Sequence, residues 1–283
     1  MNGIETAAER ELLTMASRPD ARPAARGGLP ARAWLSAGSF LLLLGGWWLL
    51  AHSGWIAPLF LPAPEAVLLK LRLVAGQGFM DATLWQHLAA SLQRIVLALL
   101  AAAALGIPLG ALMGISPLAR GLLDPVIEAY RPVPPLAYLP LIVIWFGIGE
   151  LSKVLLIFLA ILAPVVIATC HGVAQVSRNR LRAAQSLGAG RGQLLRLVVL
   201  PEALPEILTG IRIGLGAGWS TLVAAELVAA TRGLGFMVQS AAQFLVTDVV
   251  VLGILVIAVV AFVLELGLRA IQRRLAPWHG HNN

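Results

Sequence analysis

Three ionisable side chains stand out because so little around them is charged. Glu128 and Arg131 lie three residues apart, and Glu226 follows a long apolar stretch. Three-residue spacing puts Glu128 and Arg131 on one face of a helix, if the helix reaches that far, where they could pair. Ionisable groups at membrane depth are costly and point to ion or substrate paths. The competing reading is a structural ion pair for the first two, and interface exposure for Glu226. The chemistry on offer is charge recognition and not bond making. Lys70 and Lys153 are the only lysines, and neither follows a glycine, so the chain carries no phosphate-binding G-x-x-x-x-G-K-[ST] loop. It has no H-E-x-x-H, no clustered Cys/His set and no G-x-S-x-G elbow. No catalytic residue and no metal site is expected. His279 and His281 read as part of a solvated tail, and Cys170, the single cysteine, as a buried thiol in an apolar run.

The elements that must position these residues follow from composition. Of 283 residues, 59% are hydrophobic and 12% charged, with mean hydropathy +0.85. A soluble domain carries about 25% charged residues, so a soluble enzyme, a soluble binding module and a disordered regulator are excluded. The class is an all-α polytopic membrane protein. The net charge of +7 would suggest nucleic acid in a soluble protein. Here it reflects basic cytoplasmic loops, and no nucleic-acid partner is expected.

Charge-free intervals locate the spans. Arg94 to Arg120 encloses 25 uncharged residues, Arg131 to Glu150 encloses 18, Lys153 to Arg178 encloses 24 and Asp248 to Glu265 encloses 16. A helix needs about 20 residues to cross the hydrocarbon core. Six helices are predicted: 34–54, 90–115, 122–147, 152–174, 207–229 and 249–271. The runs are continuous and Leu/Ala-rich, unlike the short alternating strands of a membrane barrel. Residues 1–33 read as a mobile cytoplasmic arm. A periplasmic segment, 55–86, contains an amphipathic helix over Glu65–Val74. A core with the other five helices follows over 87–272, and 273–283 form a cytoplasmic tail. Fifteen of the 21 basic residues fall on one side of this plan, in the arm, after spans two and four, and at the tail. That side is cytoplasmic by the positive-inside rule, with both termini on it.

Small residues and prolines add detail. Gly106, Gly110 and Gly114 recur every fourth residue in the second span, and Gly210, Gly214 and Gly218 in the fifth. Such stripes let helices approach closely. They read as packing surfaces, with a moving seam as the alternative. Tyr130 to Pro140 holds four prolines in eleven residues and cannot continue a regular helix. The loop 175–206 is long for a connection without function. Leu181–Leu187 looks helical and meets Gly188, and Gly192–Val199 looks helical and ends at Leu200-Pro201. A short helix stopped by glycine suits docking to another protein.

At this loop the sequence resembles permease subunits of ATP-binding-cassette importers. Their signature is E-A-A, three residues, Gly, nine residues, then I-x-L-P. Arg182-Ala183-Ala184, then Gly188, then Val198-Val199-Leu200-Pro201 match it in spacing, with Arg182 in place of the Glu. Further segments are similar to the nitrate/sulfonate/taurine branch: Arg131-Pro-Val-Pro-Pro, Ile144-Trp-Phe-Gly-Ile-Gly149, Leu204 to Arg212, Gly218 to Glu226 and Thr231 to Ser240. The likeness covers about 55–280. It implies a type I importer permease fold in a bacterial inner membrane and a homodimer. Two cytoplasmic ATPase subunits would use the ATP and Mg, with no cofactor on this chain, and a periplasmic substrate-binding protein would deliver the cargo. The helix 181–188 would couple to the ATPase, with Arg182, Ala183, Ala184, Gly188, Leu200 and Pro201 as its signature positions. The implied substrate is a small sulfonate, taurine first, with alkanesulfonates and nitrate as alternatives. Taurine's sulfonate would suit Arg131, and its ammonium Glu128 or Glu226. The rival view leaves selectivity to the binding protein. An ion-driven secondary transporter is the rival class, but no internal repeat supports it.

Overall fold

Long Leu/Ala runs leave the backbone one option in lipid, because each amide must be satisfied within its own segment. The computed structural model describes residues 29–276. Most of the expected arm, 1–28, and the end of the expected tail, 277–283, lie outside the described residues. Among the described residues every regular element is helical, and the one β-bridge, Phe79 with Ala82, is isolated. The chain divides into two units, residues 1–55 and 56–283. The first unit contains α1, Leu29–His52, which begins earlier than position 34.

In the second unit, α2 spans Pro64–Gly76. Pro64 suits its first turn, where an amide would lack a partner anyway. Val67 and Val74 are its buried residues, and it packs mainly on the last helix. Then α3 runs Leu84–Ile115, starting six residues ahead of 90. Thr83 explains the early start. Its hydroxyl accepts from the Gln86 amide, while the Gln86 side chain accepts from the Thr83 amide at 2.9 Å, a capping box.

The expected third span, 122–147, is not one helix. The chain forms α4, Pro117–Tyr130, a 3₁₀ turn at Pro135–Tyr138, and α5, Leu139–Phe146. Pro132, Pro134 and Pro135 lack amide donors; Arg131 keeps helical dihedrals, but Pro134, ahead of Pro135, is extended at ψ 130. Gly147 at φ +77 then turns the chain into α6, Glu150–Ala174.

The connection after α6 also departs from expectation. The short helix α7 is Arg178–Ser186 and not 181–187. A helical turn at Arg191–Leu194 and a π-helical turn at Leu195–Val199 follow. Leu200-Pro201 does not end this stretch. Val199 and Leu200 keep helical dihedrals, and α8, Leu200–Ala229, continues from them. Pro201 sits in the first turn of α8, where its missing amide costs little, and the wider turn before it accommodates the loss. Two more helices follow: α9, Leu234–Gln243, which lies outside the predicted spans, and α10, Thr247–Leu275.

The core forms around α6, which packs against α3 on one side and α8 on another. Ile95, Ala98 and Ala102 of α3, Ile157, Ile161 and Val165 of α6, and Leu215, Trp219 and Leu222 of α8 make one buried cluster. Both glycine stripes serve these contacts. A Cβ on Gly110 would lie 2.5 Å from the Val166 carbonyl oxygen, and on Gly114 2.7 Å from Val173. On Gly106 it would meet Val165 at 3.0 Å. From α8, Cβ atoms on Gly210, Gly214 and Gly218 would lie 2.5, 2.9 and 2.7 Å from Ala168 and Ile161 of α6. Two stripes on different helices thus grip one helix.

Among the described residues four helices are long and apolar enough to cross a membrane: α1 from Trp34, α3, α6 and α10. The 30-residue α8 stands outside that set and carries Glu202, Glu206, Arg212 and Glu226.

Candidate functional site

Two polar regions lie at opposite ends of α6 and α8, with a groove between them. The first is built on one stripe of α3. His87, Ser91 and Arg94 follow at i, i+4 and i+7, and all three are buried. Arg94 donates through Nε and Nη2 to the two oxygens of Glu150, at 2.5 and 2.8 Å, a fork-to-fork pair. Its Nη1 donates to Glu226 Oε1 at 2.6 Å and to the Arg232 carbonyl at 2.8 Å. Lys153, one turn from Glu150, donates to Glu150 Oε1 at 2.8 Å. Two cations thus meet two carboxylates.

Glu226 is 0% exposed. Besides Arg94 it accepts from the Ser91 hydroxyl at 2.7 Å and the Gly235 amide at 2.8 Å. Ser91 Oγ in turn accepts from the Leu234 amide at 2.9 Å. The Gly233 amide donates to His87 Nδ1 at 3.1 Å, so the other ring nitrogen, Nε2, carries the proton given to the Phe79 carbonyl at 3.0 Å. Gly233 and Gly235 are demanded by this packing. A Cβ on Gly233, at φ +139, would collide with the Glu226 carboxylate, and one on Gly235 would lie 2.7 Å from the Val223 carbonyl oxygen. The array ties α3, α6, α8 and the start of α9 together. Glu226 is therefore held among its partners and faces neither solvent nor the groove. Sequence reading used Arg94, Glu150 and Lys153 only to mark span limits. The polar stripe of His87, Ser91 and Arg94 was the available signal.

The second region is the turn after α7. Arg182 and Ala183 are exposed, and Ala184 is half-buried. The Ala189 amide donates to the Ala184 carbonyl at 3.1 Å and the Gly188 amide to the Gln185 carbonyl at 2.9 Å. Gly188 has φ +84. These bonds make a Schellman ending, with Gly188 in the left-handed conformation that side chains avoid. The spacing from Ala184 to Gly188 is thus the spacing of this ending. Leu187 stands out at 90% exposure. Leu200 and Pro201 lie half-buried at the head of α8, away from that tip. Arg180 bridges Glu202 at 2.9 Å, the one ion pair that Arg178, Arg180, Arg182, Arg191 and Arg196 make among the described residues.

Between the two ends runs a groove of about 480 Å³ lined by Tyr130, Arg131, Pro164, His171, Glu206 and Thr221, among others. Glu128 and Arg131 make no ion pair with each other. Both are exposed, and with Pro132 they line a neighbouring hollow of about 450 Å³. Arg131 therefore borders both spaces, and it makes no ion pair among the described residues. No group of His, Cys, Asp or Glu among the described residues has the arrangement of a metal site.

The comparisons agree with this architecture. Residues 106–277 match the family model described as binding-protein-dependent transport system inner membrane component. The taurine transport system permease protein TauC of Escherichia coli (strain K12) is 70% identical over 247 residues, covering 87% of this chain and 90% of that one. The putative aliphatic sulfonates transport permease protein SsuC of the same organism is 35% identical, covering 82% and 87%. The nitrate import permease protein NrtB of Leptolyngbya laminosa is 33% identical, covering 84% and 86%. Among solved structures, an inward-facing conformation of the MetNI methionine ABC transporter matches with TM-score 0.59. It covers 66% of this chain and 93% of that one at 18% identity, which shows a shared fold.

Proposed function

This chain belongs to the family of inner-membrane components of binding-protein-dependent transport systems; it is an importer permease subunit and not an enzyme, and we propose that its cargo is taurine. The observation that carries this substrate is the similarity to the taurine permease along nearly the whole of both chains. The weaker likeness to sulfonate and nitrate permeases makes alkanesulfonate and nitrate the readings to test against it.

The proposal has six spans: α1, α3, the broken α4–α5 segment, α6, α8 and α10. The arginine-rich turn after α7 faces the cytoplasm, as do both termini, by the positive-inside rule. There α7 and the Gly188 turn seat on a cytoplasmic ATPase subunit, with Arg182, Ala183 and Leu187 at the contact. A second copy of this chain, two ATPase subunits that use the ATP and Mg, and a periplasmic binding protein complete the importer. The domain plan is an arm before α1, the periplasmic segment holding α2, the core from α3 onward, and a short tail.

Arg131 is the proposed contact for the sulfonate, and Glu128, sharing its hollow, for the ammonium. Non-helical backbone at membrane depth is tolerated where it borders a water-filled cavity, and the proline-broken 131–138 segment borders the groove.

The test is uptake of labelled taurine in cells lacking their own taurine permease, supplied with this chain, an ATPase and a binding protein. ATP-dependent uptake that prefers taurine over alkanesulfonates and nitrate supports the reading. Uptake of another anion moves the substrate. Uptake without the ATPase favours an ion-driven carrier and overturns the coupling scheme. Uptake unchanged in Arg131→Gln removes the proposed sulfonate contact.

A further inference from the structure

The last helix carries an exposed face whose chemistry changes along its length. Leu255, Val259, Phe262 and Leu266 are exposed along α10 at alternating four- and three-residue spacing. The same spacing continues to Arg269 and Arg273. One helix face therefore passes from alkyl and aryl side chains to guanidinium groups within two turns.

The arginine end is a cavity as well as a patch. Arg212 of α8 joins Arg269, Gln272, Arg273 and Ala276 around a space of about 230 Å³. Its walls are braced from two helices. Arg212 Nη1 donates to the Gln272 side-chain oxygen at 3.4 Å, and Gln272 Nε2 donates to Thr209 Oγ1 at 3.3 Å. Glu265 is the one carboxylate paired with these arginines among the described residues. It takes Arg269 at 2.9 Å and Arg212 at 3.5 Å. Arg273 has no carboxylate partner among the described residues. Two guanidinium groups thus share one carboxylate and the third has none, so among the described residues three cations face one anion at this cavity.

We infer that this cavity binds the headgroup phosphate of an anionic phospholipid, whose acyl chain lies along the Leu255–Leu266 stripe. Each half of the surface matches one half of such a lipid. An apolar stripe that ends in a basic cavity at the end of a long apolar helix is the arrangement that holds an anionic headgroup between spans. Arginine suits the role because its planar fork presents paired donors to phosphate oxygens. A soluble anion would use the cavity but not the stripe, and an acidic partner protein would need neither the stripe nor its depth. The inference rests on α10 crossing the membrane and not on the identity of the cargo.

The test uses the permease purified with its ATPase partner, delipidated in detergent and exposed to phosphatidylglycerol, cardiolipin or phosphatidylcholine. Retained phospholipid is counted by mass spectrometry. The wild type is expected to retain the two anionic lipids over phosphatidylcholine. Arg269→Gln and Arg273→Gln should each weaken retention about fivefold, with thermal midpoint and ATPase content unchanged. The double lysine variant, Arg269→Lys/Arg273→Lys, should keep most of it, which guards against a folding defect in the glutamine forms. Phe262→Ala, which shortens the apolar stripe and leaves the arginines in place, should also weaken lipid retention. Equal retention in wild type and the Arg273→Gln form overturns the proposal. So does displacement of the lipid by millimolar inorganic phosphate, which would mark a free-anion site. Loss of the ATPase subunit from the glutamine variants would mark a protein contact and overturn it as well.

Discussion

The Glu226 end and the Gly188 end of this molecule are both rich in charge, yet they use it in opposite ways. At the Glu226 end, Arg94 and Lys153 meet Glu226 and Glu150, and three of the four are buried. At the Gly188 end five arginines make a single ion pair among the described residues, and they are exposed. Buried and matched charge fixes how helices sit against one another, because removing one partner strands the other in a poor solvent. Exposed and unmatched charge contributes little to the fold and stays available to something outside the chain. The lesson is that burial, and not the presence of charge, separates the frame from a surface left open to other molecules.

The sharpest way to break this comparison is at Arg94. Arg94→Met strands the buried Glu226, while Glu150 stays exposed and paired with Lys153; the loss should cost about 3–5 kcal/mol, seen as lost yield and a lower unfolding midpoint in fluorescence-detected size exclusion. Adding Glu226→Leu removes the stranded carboxylate and should restore part of that loss. Next in size is Gly110→Val. Its Cβ would lie 2.5 Å from the Val166 carbonyl oxygen, and overpacking of this kind costs about 1–3 kcal/mol, measured the same way.

Crossing to the Gly188 end, stability effects shrink and functional effects grow. Gly188→Asp forces a side chain into the left-handed conformation at about 1–2 kcal/mol. A Cβ there meets nothing within 4 Å, so the helices should still assemble while uptake falls more than tenfold. Smallest is Arg182→Glu, which supplies the family's residue at an exposed position. The unfolding midpoint should move by less than about 0.5 kcal/mol equivalent, and the ATPase should still co-purify. If Arg94→Met proved harmless and Gly188→Asp unfolded the chain, the contrast between the two ends would be reversed.

How much was legible beforehand follows the same divide. The apolar runs that become α3, α6 and α10 were visible as charge-free intervals, since long continuous hydrophobicity has few other structural outcomes. The Ala184-to-Gly188 spacing was visible because a Schellman ending is local and leaves its mark within one turn. The polar centre was not read, because it joins Ser91, Glu150 and Glu226 across more than a hundred residues. A charged residue at a span boundary looks the same whether it meets water or a distant carboxylate. Glu226 illustrates the limit. Its type was noticed, but its three donors lie on α3 and at the start of α9. The glycine stripes were seen as packing surfaces, while their shared target, α6, emerged only in three dimensions. The helix bounds shifted where local chemistry outweighed the apolar run. The Thr83 capping box drew α3 back to Leu84, and the Pro132–Pro135 cluster split the third span.

The measurement that tests the central claim most directly is a cross-link from the tip of the Gly188 turn to the ATPase. Leu187 is 90% exposed, and Cys170 is the only native cysteine. Leu187→Cys in a Cys170→Ser background therefore places one reactive thiol at the tip. A short bifunctional reagent should join this position to an ATPase subunit in membranes, in a yield that changes when ATP is added, while a thiol placed at Glu150 stays unlinked. Absence of any cross-link from position 187, in a complex that still drives ATP-dependent uptake, would contradict the assignment of this turn as the point where the ATPase engages the permease.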